Sequence, residues 1–333
     1  MEAVCWLAGL ALILIIMTDA IWSILTLGGG GPIADRLVSR LWQQIFRDGG
    51  APRAAMTFVG PGIMLATLTL WLGGLWFGWL LIFSGQPTAV IGASTGLPAT
   101  LAERVYFVGF TLFTLGVGDY RPTGDFYQFA TAIASVNGLF LVTLGITYLL
   151  PVVSAVVERR QLATIIAALG DRPDQMLRTA WDGEDFHRLD PLLLQLATQI
   201  GLQAQRHLAY PILHYFGGAQ PQTSAPLQIA RLYEALLLLH AWPAAPRPDP
   251  VATRVLTAAI MDFIARSRHN LRLKDTAAPP LPPIDVDALP GDPAASNWQG
   301  GFDQQQDQRA LMAGIVRHDG WQWHDVWCQS ESD

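Results

Sequence analysis

Charge is scarce in this 333-residue chain, at 14% of its residues, and the shortage comes in blocks. No charged residue stands between Ala54 and Ala102, and none between Phe126 and Val157. Ordinary soluble domains carry about 25% charged residues. About 20 consecutive apolar residues suffice to cross a bilayer, so each block is long enough to be a span. Cysteine is also scarce. Cys5 and Cys328 sit at opposite ends and exclude a disulfide framework. Lysine is nearly absent, Lys274 alone against 20 arginines, and the net charge of −6 argues against a nucleic-acid partner. No strand-rich βαβ run with G-x-G-x-x-G occurs, which excludes a dinucleotide-type sensing domain. No catalytic constellation stands out, so an enzyme is not expected, and neither is a cofactor.

What is present is apolar, with 51% hydrophobic residues and a mean hydropathy of +0.30. Ala3 to Leu27 forms a first span. It lacks the basic start and small-residue cleavage site of a signal peptide and is read as part of the mature protein. Asp19 interrupts it, either as a hydrated residue near the interface or as a polar contact inside a helix bundle. After Gly28 to Gly31, residues 32–55 hold Ile33, Leu37, Val38, Leu41, Trp42, Ile45 and Phe46 at helical spacing, with Arg36, Arg40 and Arg47 opposite. That pattern predicts an amphipathic interfacial helix. Met56 to Phe83 is the second span, Ser84 to Ala99 an outer loop, and Phe126 to Val157 the third span. The short apolar segment from Thr100 to Phe113 cannot span and is expected to be re-entrant, buried in protein. The 28–55 loop carries four arginines against two aspartates, and Glu158-Arg159-Arg160 follows the third span. The positive-inside rule places both in the cytoplasm, in a multi-pass protein of the cell membrane.

The organising stretch is Thr111-Leu112-Phe113-Thr114-Leu115-Gly116-Val117-Gly118-Asp119. Its two glycines tolerate the φ/ψ values that turn successive carbonyls toward a common axis. The run Thr114, Leu115, Gly116, Val117, Gly118, followed by Asp119, resembles the selectivity filter of potassium channels, in the pore-domain family with two transmembrane helices and a pore loop. The resemblance covers about Met56 to Arg160. It implies a homotetramer in a lipid bilayer, conducting monovalent cations, with permeant K+ held by filter carbonyls. It also implies support of the filter by Tyr106, Phe107, Thr111 and Asp119, and gating at Gly138 and Pro151. Gly138 lies 24 residues after Thr114, where that family has a hinge glycine; close helix packing is the other reading of that position. Two positions depart from the family: Leu115 replaces valine, and Val117 replaces an aromatic that braces the filter from behind.

Residues 161–275 read as a cytoplasmic helical domain, with helices expected at Gln161–Leu169, Asp190–Ala209, Ala225–Ala241 and Pro250–Leu273. Residues 276–333 read as a Pro-rich linker and an aromatic tail docked on that domain. The tail's His318, Asp319, His324, Asp325 and Cys328 match no zinc signature, and His207 and His214 read as surface or core residues. The fold class expected is therefore an all-α membrane protein with three transmembrane helices, a re-entrant pore helix and filter, and an α-helical cytoplasmic domain. Segments 1–31, 32–55, 56–160, 161–275 and 276–333 are its successive parts. The function expected is a potassium channel. Its rivals are a non-selective or sodium-permeable channel, and a non-conducting membrane sensor that signals through its helical domain.

Overall fold

The computed structural model describes residues 2–25, 31, 33, 53–218, 220–241, 246–271, 277–281, 284, 289 and 298–328. The expected interfacial helix lies outside these residues apart from a few positions, as does most of the Pro-rich linker. The chain divides into two compact units, Met1–Gly49 with Gly62–Pro151, and Gly50–Pro61 with Val152–Asp333.

The first unit is built from α1 (Glu2–Leu25), α2 (Arg53–Ser84), α3 (Leu101–Leu112) and α4 (Gly124–Ala167), the last of which runs on into the second unit. Three of these, α1, α2 and α4, are long and apolar enough to cross a membrane, and α3 at 12 residues is not. The outer loop is more ordered than its Gly, Ser, Thr and Pro content suggests. β1 (Val90–Gly92) pairs antiparallel with β2 (Tyr120–Pro122), so the unit is not purely helical. The pairing forms because Ala93 donates to Asp119 O at 2.8 Å and Thr123 to Ala89 O at 3.1 Å, which ties the two loops together on both sides of the strands.

The core of this unit is aromatic. Trp71, Trp79, Phe83, Phe107, Phe110 and Tyr127 are buried together, with Phe83 edge-on to Phe107 at 5.1 Å. α1 meets α2 backbone to backbone, since a Cβ on Gly9 would lie 2.6 Å from Gly78 O. Small residues at such crossings drive helix association where lipid offers no hydrophobic force. Asp19 resolves to the interior alternative. It is 1% exposed, and its carboxylate accepts from Trp71 Nε1 at 2.8 Å and from the N–H of Ile33 at 2.8 Å.

The second unit holds α5 (Pro173–Ala180), α6 (Asp190–Ala209), α7 (Ala225–Ala241), α8 (Pro250–Leu271), α9 (Trp298–Asp303), α10 (Gln306–His318) and α11 (His324–Trp327). α6 and α7 have the bounds read from the sequence, and α8 ends two residues earlier. The segment expected as a separate helix from Gln161 is continuous with α4, because no Gly or Pro interrupts the apolar pattern between Val152 and Ala167. α5 was not foreseen. α7 is the centre, buried at every position from Ala225 to Leu239. An apolar helix enclosed on all sides is the kind that a domain packs around. The tail belongs to this same core: Phe302, Met312, Trp321 and Trp327 pack in one cluster with α7.

α7 also carries Arg231 and Glu234 into that core. The Arg309 guanidinium meets the Glu234 carboxylate in a two-pronged pair, Nε–Oε1 at 2.8 Å and Nη2–Oε2 at 3.2 Å, and Trp327 Nε1 donates to Oε2 at 3.2 Å. Arg309 also donates to Pro279 O and Pro280 O. Arg231 donates to the carbonyls of Asp325 and Cys328. Two buried charges of the central helix thus clip the C-terminal segment in place. Several charge-assisted bonds offset the desolvation of Glu234, and two from Nη2 offset part of that of Arg231.

Candidate functional site

The stretch from Thr100 to Gly138 is positioned from four directions. Thr100 begins α3 with a capping box: its hydroxyl accepts from Glu103 N, and its own N–H donates to Glu103 Oε2 at 2.7 Å. That N–H holds the Glu103 carboxyl below its ordinary range. One turn in, Arg104 is buried and donates to Ala99 O, Phe83 O, Gln86 O and Pro87 O at 2.6–3.0 Å. A guanidinium spent on four carbonyls needs no carboxylate, and it pins α3 to the end of α2 and the turn after it. Sequence reasoning does not single out Arg104. The signal that was available is a lone arginine at the first turn of an otherwise apolar helix.

The far end of α3 docks on α4. Ser135 Oγ donates to Thr111 O at 3.1 Å, and one turn on, a Cβ at Gly138 would fall 2.1 Å from Leu112 O. Gly138 is therefore where α4 admits the backbone of α3. This favours close packing over a free hinge for that glycine. Ser135 escaped the sequence reading because a serine inside an apolar helix commonly bonds a carbonyl of its own helix. Pro151 lies inside α4, which continues sixteen residues beyond it to Ala167. It has no N–H to give Thr147 O.

Between these anchors the chain changes character. Phe113 N donates to Gly109 O, Thr114 N to Thr111 O and Leu115 N to Phe110 O at 2.8–3.1 Å, closing the helix end. Then φ is positive at Thr114 (55°), Gly116 (61°) and Gly118 (86°), and at no other non-glycine residue among those described. The sign thus alternates with a period of two. For a β-branched threonine this is an outlier costing about 1–3 kcal/mol, of the kind that collects at functional sites. Among the described residues, no backbone hydrogen bond reaches the carbonyls of Thr114, Leu115, Gly116, Val117 or Gly118. Their side chains are exposed too, Leu115 at 68% and Val117 at 46%. Asp119 is exposed at the end of the run, where its carbonyl is taken by Ala93.

The two aromatic residues expected behind this run separate. Phe107 is buried in the aromatic core against Phe83 and Phe110, whereas Tyr106 is 44% exposed and edge-on to Phe110 at 5.3 Å and Tyr120 at 6.2 Å. Only Tyr106 lies on the open side. Trp76, which the sequence reading did not single out, takes the nearer place: its ring is edge-on to Phe113 at 6.0 Å and its Nε1 donates to Val105 O. Thr111 is buried, and its hydroxyl has no partner among the described residues.

The second unit draws three histidines together. His207 and His214 lie 4.8 Å apart by ring centroid, and His318 follows at 6.3 Å from His214. Burial pushes His207 down to about 3 and His318 to about 4, and lowers His214 as well, with the Arg159 guanidinium adding to each. Beside them Asp319 pairs with Arg159 at 2.6 Å and accepts from Ser224 Oγ at 2.6 Å. The tail residues weighed as metal ligands therefore part company. His318 and Asp319 enter this interior, while His324 and Asp325 pair near the surface. Among the described residues, no group of three or more His, Cys, Asp or Glu side chains is placed to hold a metal ion.

Compared with known proteins, the chain is 32% identical over 321 residues to the "Uncharacterized membrane protein YdjJ" of Bacillus subtilis (strain 168), a match covering 95% of this chain and 94% of the relative. No family model matches the chain. No solved structure matches it.

Proposed function

The chain belongs to the family of the Bacillus subtilis membrane protein YdjJ, and for a membrane protein of this family we propose the work of a cation channel. Four copies surround an axis, and the carbonyls of Thr114 to Gly118 line it and take up potassium. One observation carries the reading: five consecutive carbonyls without a backbone partner among the described residues, on a run whose φ alternates in sign. Unpaired backbone oxygens are costly unless something else pairs them. Alternation between the two hands can bring successive carbonyls to one side, and rings of such oxygens replace a cation's water shell. One copy supplies one arc of each ring, so assembly is required.

Other features agree with this. The C-terminal end of α3, the negative pole of its dipole, leads into the run. The Thr111 hydroxyl lacks a partner among the described residues. Phe126, Phe129, Ile133, Val136 and Phe140 are exposed along α4 at alternating spacings of three and four, a seam suited to another helix. In this reading Gly138 and Ser135 hold the filter's base, Tyr106 and Trp76 flank it, and Pro151 is the gating position. The bilayer is the cell membrane, with the C-terminal unit in the cytoplasm.

The test is potassium flux from liposomes containing the purified protein. Gly116→Ala and Gly118→Ala place an L side chain at φ of 61° and 86°, and both should abolish flux in protein that still inserts and assembles as four copies by native mass. Undiminished flux in both variants, or a dimer by mass, removes the reading.

A further inference from the structure

The C-terminal unit contains a cavity of about 620 Å3 between the end of α7 and the first half of α8. Small-molecule sites fall in the range of about 300–1,000 Å3 and are mostly apolar with a few placed polar groups. The walls here are Leu239, Pro248, Pro250, Ala258 and Met261. Thr253 and Thr257 also face it, but their hydroxyls donate to Asp249 O and Thr253 O of their own helix. The remaining lining groups are Arg247, Arg254, His187 and His240, and no carboxylate is among the described lining residues.

Two acids next to the lining residues are already engaged. Asp190 bonds the His187 ring at 3.0 Å and accepts the Asp249 N–H at 2.8 Å. Asp249 caps α8 by accepting from the N–H groups of Val251 and Ala252. Arg254, by contrast, makes no hydrogen bond or ion pair among the described residues, and it is exposed at the rim.

The geometry points to a binding site for an amphipathic anion: an aliphatic or aromatic body in the apolar cavity, with a carboxylate or phosphate at Arg254. A charged head on a guanidinium gives the stronger class of hydrogen bond, and the walls reward an apolar body by area removed from water. This site is independent of conduction, so its test stands whether or not the chain forms a pore.

Octanoate titrated calorimetrically into the full chain in nanodiscs, with empty discs subtracted, should give a saturable isotherm of one per chain. Octanol, which lacks the charge, and acetate, which lacks the body, should each bind at least ~10-fold more weakly, about 1.4 kcal/mol. Arg254→Glu should cause a similar loss. Ala258→Trp fills the cavity from an exposed position and should abolish binding without moving the thermal unfolding midpoint. Anionic lipid in the disc distinguishes the source: competition with octanoate assigns the site to a bilayer lipid headgroup, and indifference assigns it to a free solute. Equal binding of octanol, unchanged binding in Ala258→Trp, or no octanoate binding overturns the proposal.

Discussion

Two apolar helices of this chain, α4 and α7, end in opposite surroundings. From Ala225 to Leu239, α7 is enclosed at every position by its own chain. α4 leaves Phe129, Ile133, Val136 and Leu150 more than half exposed. What distinguishes them in sequence is charge rather than hydrophobicity. α7 carries Arg231 and Glu234 because the rest of the unit supplies partners at fixed places. α4 is uncharged from Phe126 to Val157, and among the described residues nothing covers that face. A face turned to lipid would offer a charge no partner.

The comparison breaks most visibly at the buried pair. Glu234→Leu leaves Arg309 buried without its partner and should cost about 3–5 kcal/mol, read as a lower unfolding midpoint in denaturant. Adding Arg309→Met should recover much of that loss. If the double variant is no more stable than the single, the pair is not what clips the tail to α7.

A smaller effect is expected from acid. His207, His214 and His318 stay neutral in the fold, since burial holds them below the ordinary 6.5, to about 3 for His207 and about 4 for His318. The unfolded chain takes up these protons below about pH 6.5, and the folded chain does not. Stability is then full above that pH and falls as the pH drops toward 4, by roughly 1.4 kcal/mol per unit for each histidine. His207→Leu should flatten the slope of unfolding midpoint against pH between 6.5 and 4.5. A flat profile in the unaltered protein contradicts neutral burial.

On the α4 side, Gly138→Ala puts a methyl against Leu112 O and should cost about 1–3 kcal/mol as overpacking. Gly62→Ala, where nothing lies within 4 Å, should be neutral or slightly stabilising. Equal effects by thermal unfolding in detergent would remove the idea that α3 rests on Gly138. The mildest prediction concerns Val117. Replacing it with tyrosine should sharpen potassium over sodium selectivity or lengthen openings, by filling space behind the carbonyls. Unchanged selectivity and open time in an assembled protein would leave the carbonyl dipoles as its sole basis.

Much of this was legible in the sequence where one pattern had one physical meaning. Uncharged runs marked α2 and α4 as membrane-capable, and apolar periodicity set both ends of α6 and α7. The capping-box spacing of Thr100 and Glu103 is a signal the sequence also holds, though it was not used. Contacts decided by distant partners were not legible. Arg104 looks like a loop charge until four carbonyls are found around it. Asp19 could have been wet or buried, and the indole of Trp71 decided. The three histidines lie on separate segments, and no spacing rule joins position 207 to 318. The short β pair hid because its residues carry ordinary loop composition, and its bonds depend on where the chain returns after Gly118.

The central claim is that the unpaired carbonyls of Thr114 to Gly118 line a potassium path. It is tested most directly by the reversal potential of the purified protein in a planar bilayer, with potassium on the cytoplasmic side and sodium opposite. The account predicts discrete currents reversing at a strongly negative potential, lost in Gly118→Ala. A reversal near zero would leave a pore without potassium selectivity. The absence of current from protein shown to be inserted and folded would contradict the claim outright.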